Sequence, residues 1–246
     1  MTTPRLPEPS DFPPSLIYTL TPSTTPPSKP SQNLLILLHG LGDTHVQFAT
    51  LGSNFNLPET ACLAIRGPIP LPFEIPGFHW GDDIIFDESP SGLDSDSGFK
   101  RTRKLLKEVI RETLVKKCGW DTRRIFFFGY RQGGMVALDI LVRARDKEYG
   151  GVISVGGVLP SDSEKVKETR KSKTPVLLLG GSKNSAIDTA TEREVREAFE
   201  FVQVVKWVGR GGDGMMRTSE EARPIMEFFG RRLGSRVGVP EGAVEL

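Results

Sequence analysis

The stretch that most constrains the fold of this chain is residues 125–134, which read Ile-Phe-Phe-Phe-Gly-Tyr-Arg-Gln-Gly-Gly. Its first four residues are apolar and favour β-structure, which is typical of a strand buried on both faces of a sheet. The glycines after it allow the chain to turn sharply, and the following residues predict a helix over Met135–Arg145. The sequence therefore predicts a buried strand that turns directly into a helix.

This strand-turn-helix has the outline of a nucleophile elbow, but its central residue does not fit that chemistry. In the elbow pattern Gly-x-Ser-x-Gly, the serine sits on a strained turn with its hydroxyl aimed at the substrate. Gly129 and Gly133 keep the frame of the pattern, whereas the central residue is Arg131. A guanidinium stays protonated at ordinary pH and offers only hydrogen-bond donors, so it cannot attack an acyl carbon.

Composition limits the class of protein and its partners. The chain has 246 residues, 37% hydrophobic and 26% charged, which is enough to bury the core of one α/β domain. Its net charge of +1 argues against a nucleic-acid partner, which would favour a basic patch. Cys62 and Cys118 fit no metal spacing and indicate free thiols, and no signal peptide or long apolar span is seen. We therefore expect a cytoplasmic protein without a transmembrane segment, metal or cofactor.

Strand-like and helix-like stretches alternate along most of the chain. Strands are predicted at 16–20, 34–38, 61–65, 151–158, 175–179 and 202–208. Helices are predicted at 99–117, 161–169, 191–201 and 219–233, the last with Pro224 in its first turn. This alternation predicts a mostly parallel sheet with helices on both faces, in a single domain over 33–233. A Pro/Ser/Thr-rich arm (1–32) precedes this domain, and a tail (234–246) follows it.

Five short pieces of sequence carry a family resemblance. They are Leu-Leu-His-Gly-Leu-Gly-Asp-Thr at 37–44, His-Trp at 79–80 followed by Asp82, Asp-Ser-Gly-Phe at 96–99, the elbow at 127–134, and Gly-Gly-Val-Leu-Pro at 156–160. In order and spacing, the chain resembles the acyl-protein thioesterase and carboxylesterase family of α/β-hydrolases over residues 17–233. The resemblance implies the α/β-hydrolase fold and hydrolysis of acyl esters or thioesters by a Ser-Asp-His triad, without a cofactor.

None of the three positions that the resemblance implies for the triad holds the expected residue. The nucleophile position is Arg131, and the acid position, after the strand at 175–179, is Asn184. The base position falls at Gly212 or Asp213, in a loop that contains no histidine. The three histidines of the chain all precede the elbow: His39, His45 and His79. The triad positions that the resemblance implies are therefore degenerate, and we assign no catalytic residue.

The scaffold around the triad positions is retained in the sequence. By the resemblance, the oxyanion-hole donors are the backbone amides of Leu41 and Gln132. Backbone donors persist whatever the side chains are, so they indicate turn geometry and are weak evidence of catalysis. The side chains that are candidates for ligand binding around these amides are Arg131, His39, Asp43 and Trp80.

His39 has two further interpretations. A histidine directly after a buried strand most often orients the turn through hydrogen bonds, which is the interpretation we favour. His39, Asp43 and His45 can also be read as metal ligands, but the resemblance implies no metal site, and we expect none.

The loop over 209–214 and two serines also have alternatives to a role in catalysis. The loop is glycine-rich like a phosphate cradle, but it lacks the Gly-Lys-Ser/Thr ending and is better explained as a remodelled catalytic loop. Ser182 and Ser185 lack a nearby histidine in sequence that would activate their hydroxyls, so a surface turn is favoured.

The charge of Arg131 requires a partner if the side chain is buried, because an unpaired buried guanidinium is costly. Three outcomes are open: an internal carboxylate, a carboxylate or phosphate ligand, or a side chain turned to solvent. The carboxylates that the resemblance places near the same rim are Asp43, Asp82, Asp188 and Asp213.

Three functions remain open at the level of sequence. The first is a pseudo-hydrolase that binds an acyl-like or anionic ligand, or a protein partner, without turnover. The second is an active carboxylesterase or acyl-protein thioesterase. The third is a structural interaction module whose pocket is filled.

Overall fold

The computed structural model describes residues 4–23, 31–84, 95–163 and 170–235. Within these ranges, a sheet of seven strands has the order β1-β3-β2-β6-β7-β8-β9, and a small hairpin pairs β4 with β5. The strands are β1 Tyr18–Thr21, β2 Asn33–Leu38, β3 Thr60–Ile65, β4 Ile69–Pro70, β5 Phe78–His79, β6 Ile125–Tyr130, β7 Gly151–Val155, β8 Val176–Lys183 and β9 Val202–Gly211. Neighbouring strands of the large sheet are parallel except β1, which runs antiparallel to β3.

Helices cover the sheet on both faces, as the α/β-hydrolase prediction requires. They are α1 His45–Asn54, α2 Lys100–Lys107, α3 Gln132–Arg143, α4 Thr189–Ala198 and α5 Ser219–Gly230, and α2 continues into a π-helix over Glu108–Lys117. Along β2, Leu34 and Ile36 join the core beneath α2, α3 and α4, whereas Leu35 and Leu37 join the core beneath α1 and α5. This alternation follows from the two-residue period of a strand whose residues are all buried. The predicted fold class is confirmed.

The helix after the elbow begins earlier than predicted, at Gln132 instead of Met135. Gly133 and Gly134 are therefore helical residues and do not form the turn. A Cβ atom on Gly133 would lie 2.3 Å from the carbonyl oxygen of Leu38, and one on Gly129 would lie 2.5 Å from the carbonyl carbon of Gly133. The glycines are needed because the first turn of α3 packs directly on the backbone of β2 and β6.

Several other predicted boundaries differ from the structure. β7 ends at Val155, three residues before the predicted end, because Gly156 takes a φ of +67° and turns the chain away. The predicted helix at 161–169 is a turn at 161–163, and its remaining residues lie outside the described ones. The prediction that Pro224 lies in the first turn of α5 is wrong: the Thr218 hydroxyl caps the helix by accepting a hydrogen bond from the Glu221 amide, which places Pro224 in the second turn.

The described part of the N-terminal segment packs against the domain. β1 forms the sheet edge beside β3, slightly later than the predicted strand at 16–20. Before it, the carbonyl oxygen of Arg5 accepts a hydrogen bond from the indole of Trp120 at 2.9 Å. None of the helices in the described ranges is long and apolar enough to cross a bilayer.

We predict that Gly133→Ala destabilises the protein by about 1–3 kcal/mol, because its methyl group would overlap the carbonyl groups of Leu38 and His39. The matched control is Gly230→Ala at the end of α5, where an added Cβ meets nothing within 4 Å. The control should be neutral or stabilising by up to about 1 kcal/mol. Urea unfolding of both variants measures the difference, and equal free energies of unfolding would contradict the packing argument.

Candidate functional site

The turn between β6 and α3 has the strained backbone of a nucleophile elbow. Arg131 is the N-cap of α3, with φ 45° and ψ −114°, a conformation that L-residues rarely adopt. The Arg131 amide donates to the carbonyl oxygen of Val155 at 2.8 Å, and its own carbonyl accepts from the Met135 amide at 2.9 Å. The surrounding backbone thus holds the turn in place although an arginine stands at its apex.

The guanidinium of Arg131 is turned towards solvent. Its Nε donates to the backbone carbonyl oxygen of Asp213 at 3.0 Å, and the Tyr130 hydroxyl donates to the same oxygen at 3.2 Å. The guanidinium carbon lies 5.5 Å from the centroid of the Tyr130 ring. Across the described ranges, no carboxylate forms an ion pair with Arg131, and its two terminal nitrogens make no hydrogen bond. Of the three outcomes left open by the sequence, the internal ion pair is therefore not formed with any described carboxylate.

Two of the four acids named as partners are occupied as helix caps. The carboxylate of Asp82 accepts hydrogen bonds from the amides of Lys100 and Arg101, at 2.7 and 2.8 Å. The carboxylate of Asp188 accepts from the Thr191 amide at 2.8 Å. Anions at these positions stabilise the positive ends of α2 and α4, so neither carboxylate serves Arg131.

Asp43 is half-buried in the loop after β2 and interacts electrostatically with Arg131, without a hydrogen bond or ion pair between them. Burial raises the pKa of its carboxyl, while the Gly40 amide and the Arg131 charge lower that pKa. The charge of Arg131 therefore affects the pKa of Asp43, in the loop that also holds Leu41, although the two side chains form no ion pair.

The carboxylate of Asp213 unexpectedly accepts hydrogen bonds from residues on both sides of Asn184, the predicted acid position. Its side chain, 6% exposed, accepts hydrogen bonds from the Gly181 amide at 3.0 Å, the Ser185 hydroxyl at 2.6 Å and the Ala186 amide at 2.7 Å. Gly181 lies near the end of β8 and Ser185 and Ala186 follow that strand, whereas Asp213 follows β9. The segments that hold the three predicted triad positions thus converge, but the Asp213 carboxylate joins two of them and does not reach the Arg131 side chain.

The remaining triad positions carry no group suited to proton transfer. Asn184 is exposed, has a φ of +50° and makes no side-chain hydrogen bond to the described residues. Gly212 has a φ of +73°, and its amide donates to the Lys183 carbonyl. The surface-turn interpretation of Ser182 is wrong: Ser182 lies near the end of β8, and its hydroxyl accepts from the Gly209 amide of the neighbouring strand β9.

His39 is fully buried and both of its ring nitrogens are engaged. The Gly67 amide donates to Nε2 at 2.8 Å, so Nδ1 carries the proton and donates to the Gly40 carbonyl at 2.7 Å. Burial lowers the pKa of His39 to about 4. With no free lone pair, this ring supports the turn and cannot bind a metal without breaking a hydrogen bond. The described residues contain no cluster of His, Cys, Asp and Glu side chains arranged for a metal.

Trp80 and Gln132 connect the loops around the elbow. The Trp80 indole donates to the His39 carbonyl at 2.8 Å, and the Trp80 amide donates to Oε1 of Gln132 at 2.9 Å. The Gln132 side chain donates in turn to the Ser95 carbonyl at 3.1 Å. The sequence pointed to the backbone amide of Gln132 and missed the role of its side chain, which only the packing of β5 beside α3 shows.

The two amides that correspond to an oxyanion hole have no acceptor among the described residues. Neither the Leu41 amide nor the Gln132 amide donates a hydrogen bond there. A Cβ on Gly133 would lie 2.5 Å from the His39 carbonyl oxygen, so the start of α3 directly adjoins the loop that holds Leu41. Two donors without a partner among the described residues therefore lie at the start of α3 and in the loop that adjoins it, and Arg131 directly precedes one of them.

The family model described as Phospholipase/Carboxylesterase matches residues 20–209. The chain belongs to this family. A protein of Schizosaccharomyces pombe described as an uncharacterised hydrolase is 34% identical over 180 residues, 71% of this chain and 73% of that protein. Acyl-protein thioesterase 1 of Saccharomyces cerevisiae is 28% identical over 166 residues, 60% of this chain and 68% of that protein.

Solved structures show the same fold. The crystal structure of esterase PE8 has a TM-score of 0.72 at 19% identity, and the match covers 89% of this chain and 99% of that chain. Arabidopsis thaliana SOBER1 has a TM-score of 0.64 at 20% identity, over 81% of this chain and 98% of that chain. The family and its fold are thus established independently of the residues at the triad positions.

We predict that His39 makes the protein less stable in mild acid. Below pH 6.5 the unfolded histidine binds a proton, whereas the folded one does so only near pH 4, so lowering the pH favours unfolding across this window. At pH 4.5 the loss from this residue should be about 2–3 kcal/mol relative to pH 7.

The measurement is urea unfolding of the parent protein and His39→Gln at both pH values. His45 and His79 also have pKa values lowered by burial, but they are present in both proteins and cancel in the comparison. His39→Gln should show a smaller acid loss than the parent. The same acid loss in both proteins would mean that the His39 pKa is not depressed.

Proposed function

We propose that this member of the phospholipase/carboxylesterase family is a pseudo-hydrolase that binds a small organic anion at its elbow without hydrolysing esters. The observation that carries the proposal is the position of Arg131, at the apex of an intact elbow turn and without an acidic partner among the described residues. An arginine there offers a positive charge where family members present a nucleophile.

The expected loss of catalysis is large. Removing the serine or the histidine of a triad costs on the order of a million-fold in turnover, and the oxyanion hole and binding retain about a thousand-fold or more over water. At this site both residues differ, and the Asp213 carboxylate is occupied by the Gly181 and Ala186 amides and the Ser185 hydroxyl. Residual hydrolysis at that level is not a useful enzymatic activity.

The anion-binding part rests on the donors that converge at the elbow. The two terminal nitrogens of Arg131 can hold a carboxylate or phosphate in a bidentate manner, and the amides of Leu41 and Gln132 add donors beside them. Because the helix dipole of α3 is positive at this end, it repels Arg131 and favours a bound anion. The ligand class that satisfies these groups is an acyl carboxylate or acyl phosphate.

Two other functions remain to be tested against this proposal. An active carboxylesterase or acyl-protein thioesterase is supported by family membership and by the named relatives, but it requires a nucleophile and base that the triad positions lack. A structural interaction module requires a filled pocket, whereas Arg131 is exposed. A protein partner with an acidic segment could engage the same guanidinium.

We also propose that the protein is cytoplasmic. Both cysteines are buried free thiols, and burial raises the pKa of Cys62 to about 11. Such thiols suit a reducing compartment and carry no sign of a disulfide framework.

We predict that hydrolysis depends on restoring the base, not only the nucleophile. The parent protein, Arg131→Ser, Asn184→Asp and the combination R131S/N184D/D213H are assayed with short-chain esters and acyl thioesters, and with a fluorophosphonate probe. The parent and both single variants should stay at the background of the inert control Arg131→Ala, because no histidine accepts the serine proton. Any gain should require Asp213→His. Stoichiometric labelling of a serine in the parent, or triad-like turnover by Arg131→Ser, would overturn the pseudo-hydrolase.

We predict that medium-chain fatty acids or acyl phosphates raise the melting temperature of the parent protein by several degrees at a hundredfold excess over Kd, which is about 2.7 kcal/mol of linkage. The increase should be lost in Arg131→Ala and partly kept in Arg131→Lys, which preserves the charge but not the bidentate geometry. Inorganic phosphate tests whether the anionic head is sufficient. An equal increase in the parent and Arg131→Ala would rule out binding by Arg131.

A further inference from the structure

A cavity lies at the opposite end of α3 from the elbow. It has a volume of about 260 Å³ and is lined by residues of α2, the start of the π-helix and the end of α3. Ile140 and Ala144 form its apolar floor, Lys107 and Arg111 form its cationic rim, and Tyr149 also lines it. Ile140 lies eight residues after Gln132, roughly 12 Å along the helix, so this cavity is separate from the elbow.

Two arginines that also line the cavity are already neutralised. Arg103 and Arg143 both donate to the carboxylate of Asp139, which is fully buried. They also bind Asp162, through its carboxylate and its backbone carbonyl. These contacts pin α2 to α3, so Arg103 and Arg143 serve the structure of the pocket wall.

Lys107 and Arg111 keep their full charges. They stand four residues apart on one stripe of the helix that runs from α2 into the π-helix, and both are exposed. Neither forms an ion pair with any carboxylate in the part of the chain that the structure describes. The rim of the cavity therefore carries two positive charges that form no ion pair with a described residue. π-Helical turns are rare and are frequently found at functional sites.

Tyr149 provides an independent sign of a ligand. The residue is only 3% exposed, and its ring packs edge-on against Phe127 at 5.7 Å. Its hydroxyl has no hydrogen-bond partner among the described residues, although the hydroxyls of buried tyrosines usually have one. The oxygen is not among the fully buried atoms that lack a partner, so it retains some exposure. Burial raises the pKa of Tyr149, which the charge of Arg111 lowers and that of Asp146 raises.

We propose that this cavity binds a phosphate monoester with a small apolar group. Lys107, Arg111 and the Tyr149 hydroxyl supply donors for the phosphate oxygens, and Ile140 and Ala144 line the floor beneath the apolar group. A phosphate monoester is close to doubly charged at pH 7, which matches the two unpaired cations. Pockets that hold drug-sized ligands have volumes of about 300 Å³ or more. This cavity is slightly smaller, so we expect a small ligand.

The test is calorimetric titration of the full chain with phenyl phosphate, inorganic phosphate and phenol. Phenyl phosphate should bind most tightly, since inorganic phosphate lacks the apolar group and phenol lacks the charge. Lys107→Ala and Arg111→Ala should each weaken phenyl phosphate by about tenfold, and Tyr149→Phe by roughly fivefold, because each removes one donor to a charged group. Both cations are exposed, so their truncation should leave the melting temperature unchanged.

Two controls separate this site from general charge and from the elbow. Lys104→Ala removes the same charge from an exposed position of α2 that does not line the cavity, and Arg131→Ala removes the cation at the elbow. Lys104→Ala should bind phenyl phosphate within about twofold of the parent, since it removes no donor. Arg131→Ala should lose only binding at the elbow, so Lys107→Ala and Arg111→Ala are also compared in the Arg131→Ala background, where they should still weaken the remaining binding by about tenfold. The proposal is overturned if Lys104→Ala weakens binding as much as Lys107→Ala, if Arg131→Ala alone abolishes it, or if phenol binds as tightly as phenyl phosphate. Because the elbow variant is a control here, failure of the elbow proposal leaves this result intact.

Discussion

The close packing of the first turn of α3 on the backbones of β2 and β6 is the constraint on which the site depends. Gly129 and Gly133 leave no room for a Cβ between these elements, so the chain must reverse within one residue. That residue, Arg131, takes a backbone conformation that costs on the order of 1–3 kcal/mol and is held by hydrogen bonds from both sides. The strained turn therefore persists because the fold enforces it, whatever side chain occupies its apex.

Asp213 holds the loops around the elbow in place through its side chain and its backbone. A working triad holds its loops together through the hydrogen bond between its acid and its base. Here one carboxylate accepts three hydrogen bonds from Gly181 in β8 and from Ser185 and Ala186 after it, and the backbone carbonyl of the same residue accepts from Tyr130 and Arg131. Asp213 thus joins these loops structurally, and its carboxylate is fully engaged and does not pair with Arg131.

The two ends of α3 differ in electrostatics. Arg131 stands at the positive end of the helix dipole, where a cation is unfavourable and a bound anion would relieve the repulsion. Arg143 stands at the negative end and is paired with the buried Asp139. At this second end, Asp139 and Asp162 balance the charges of Arg103 and Arg143. Lys107 and Arg111, on the neighbouring helix, form no ion pair with a described residue. Among the described residues, cations without an ion pair thus stand at two separate places, Arg131 at the elbow and Lys107 with Arg111 at the cavity.

The sequence by itself determined most strands of the large sheet, the fold class, the family resemblance and which residues stand at the predicted triad positions, because these follow from local apolar runs, motif order and residue identity. Tertiary structure decided where α3 begins, because Gly133 and Gly134 are explained only by the backbones they touch. It also decided the partner of the Asp213 carboxylate, the solvent-facing side chain of Arg131, and the cavity between Lys107, Arg111 and Tyr149. Each of these depends on elements distant in sequence that meet only when the sheet and its helices pack, and no local pattern encodes such a meeting.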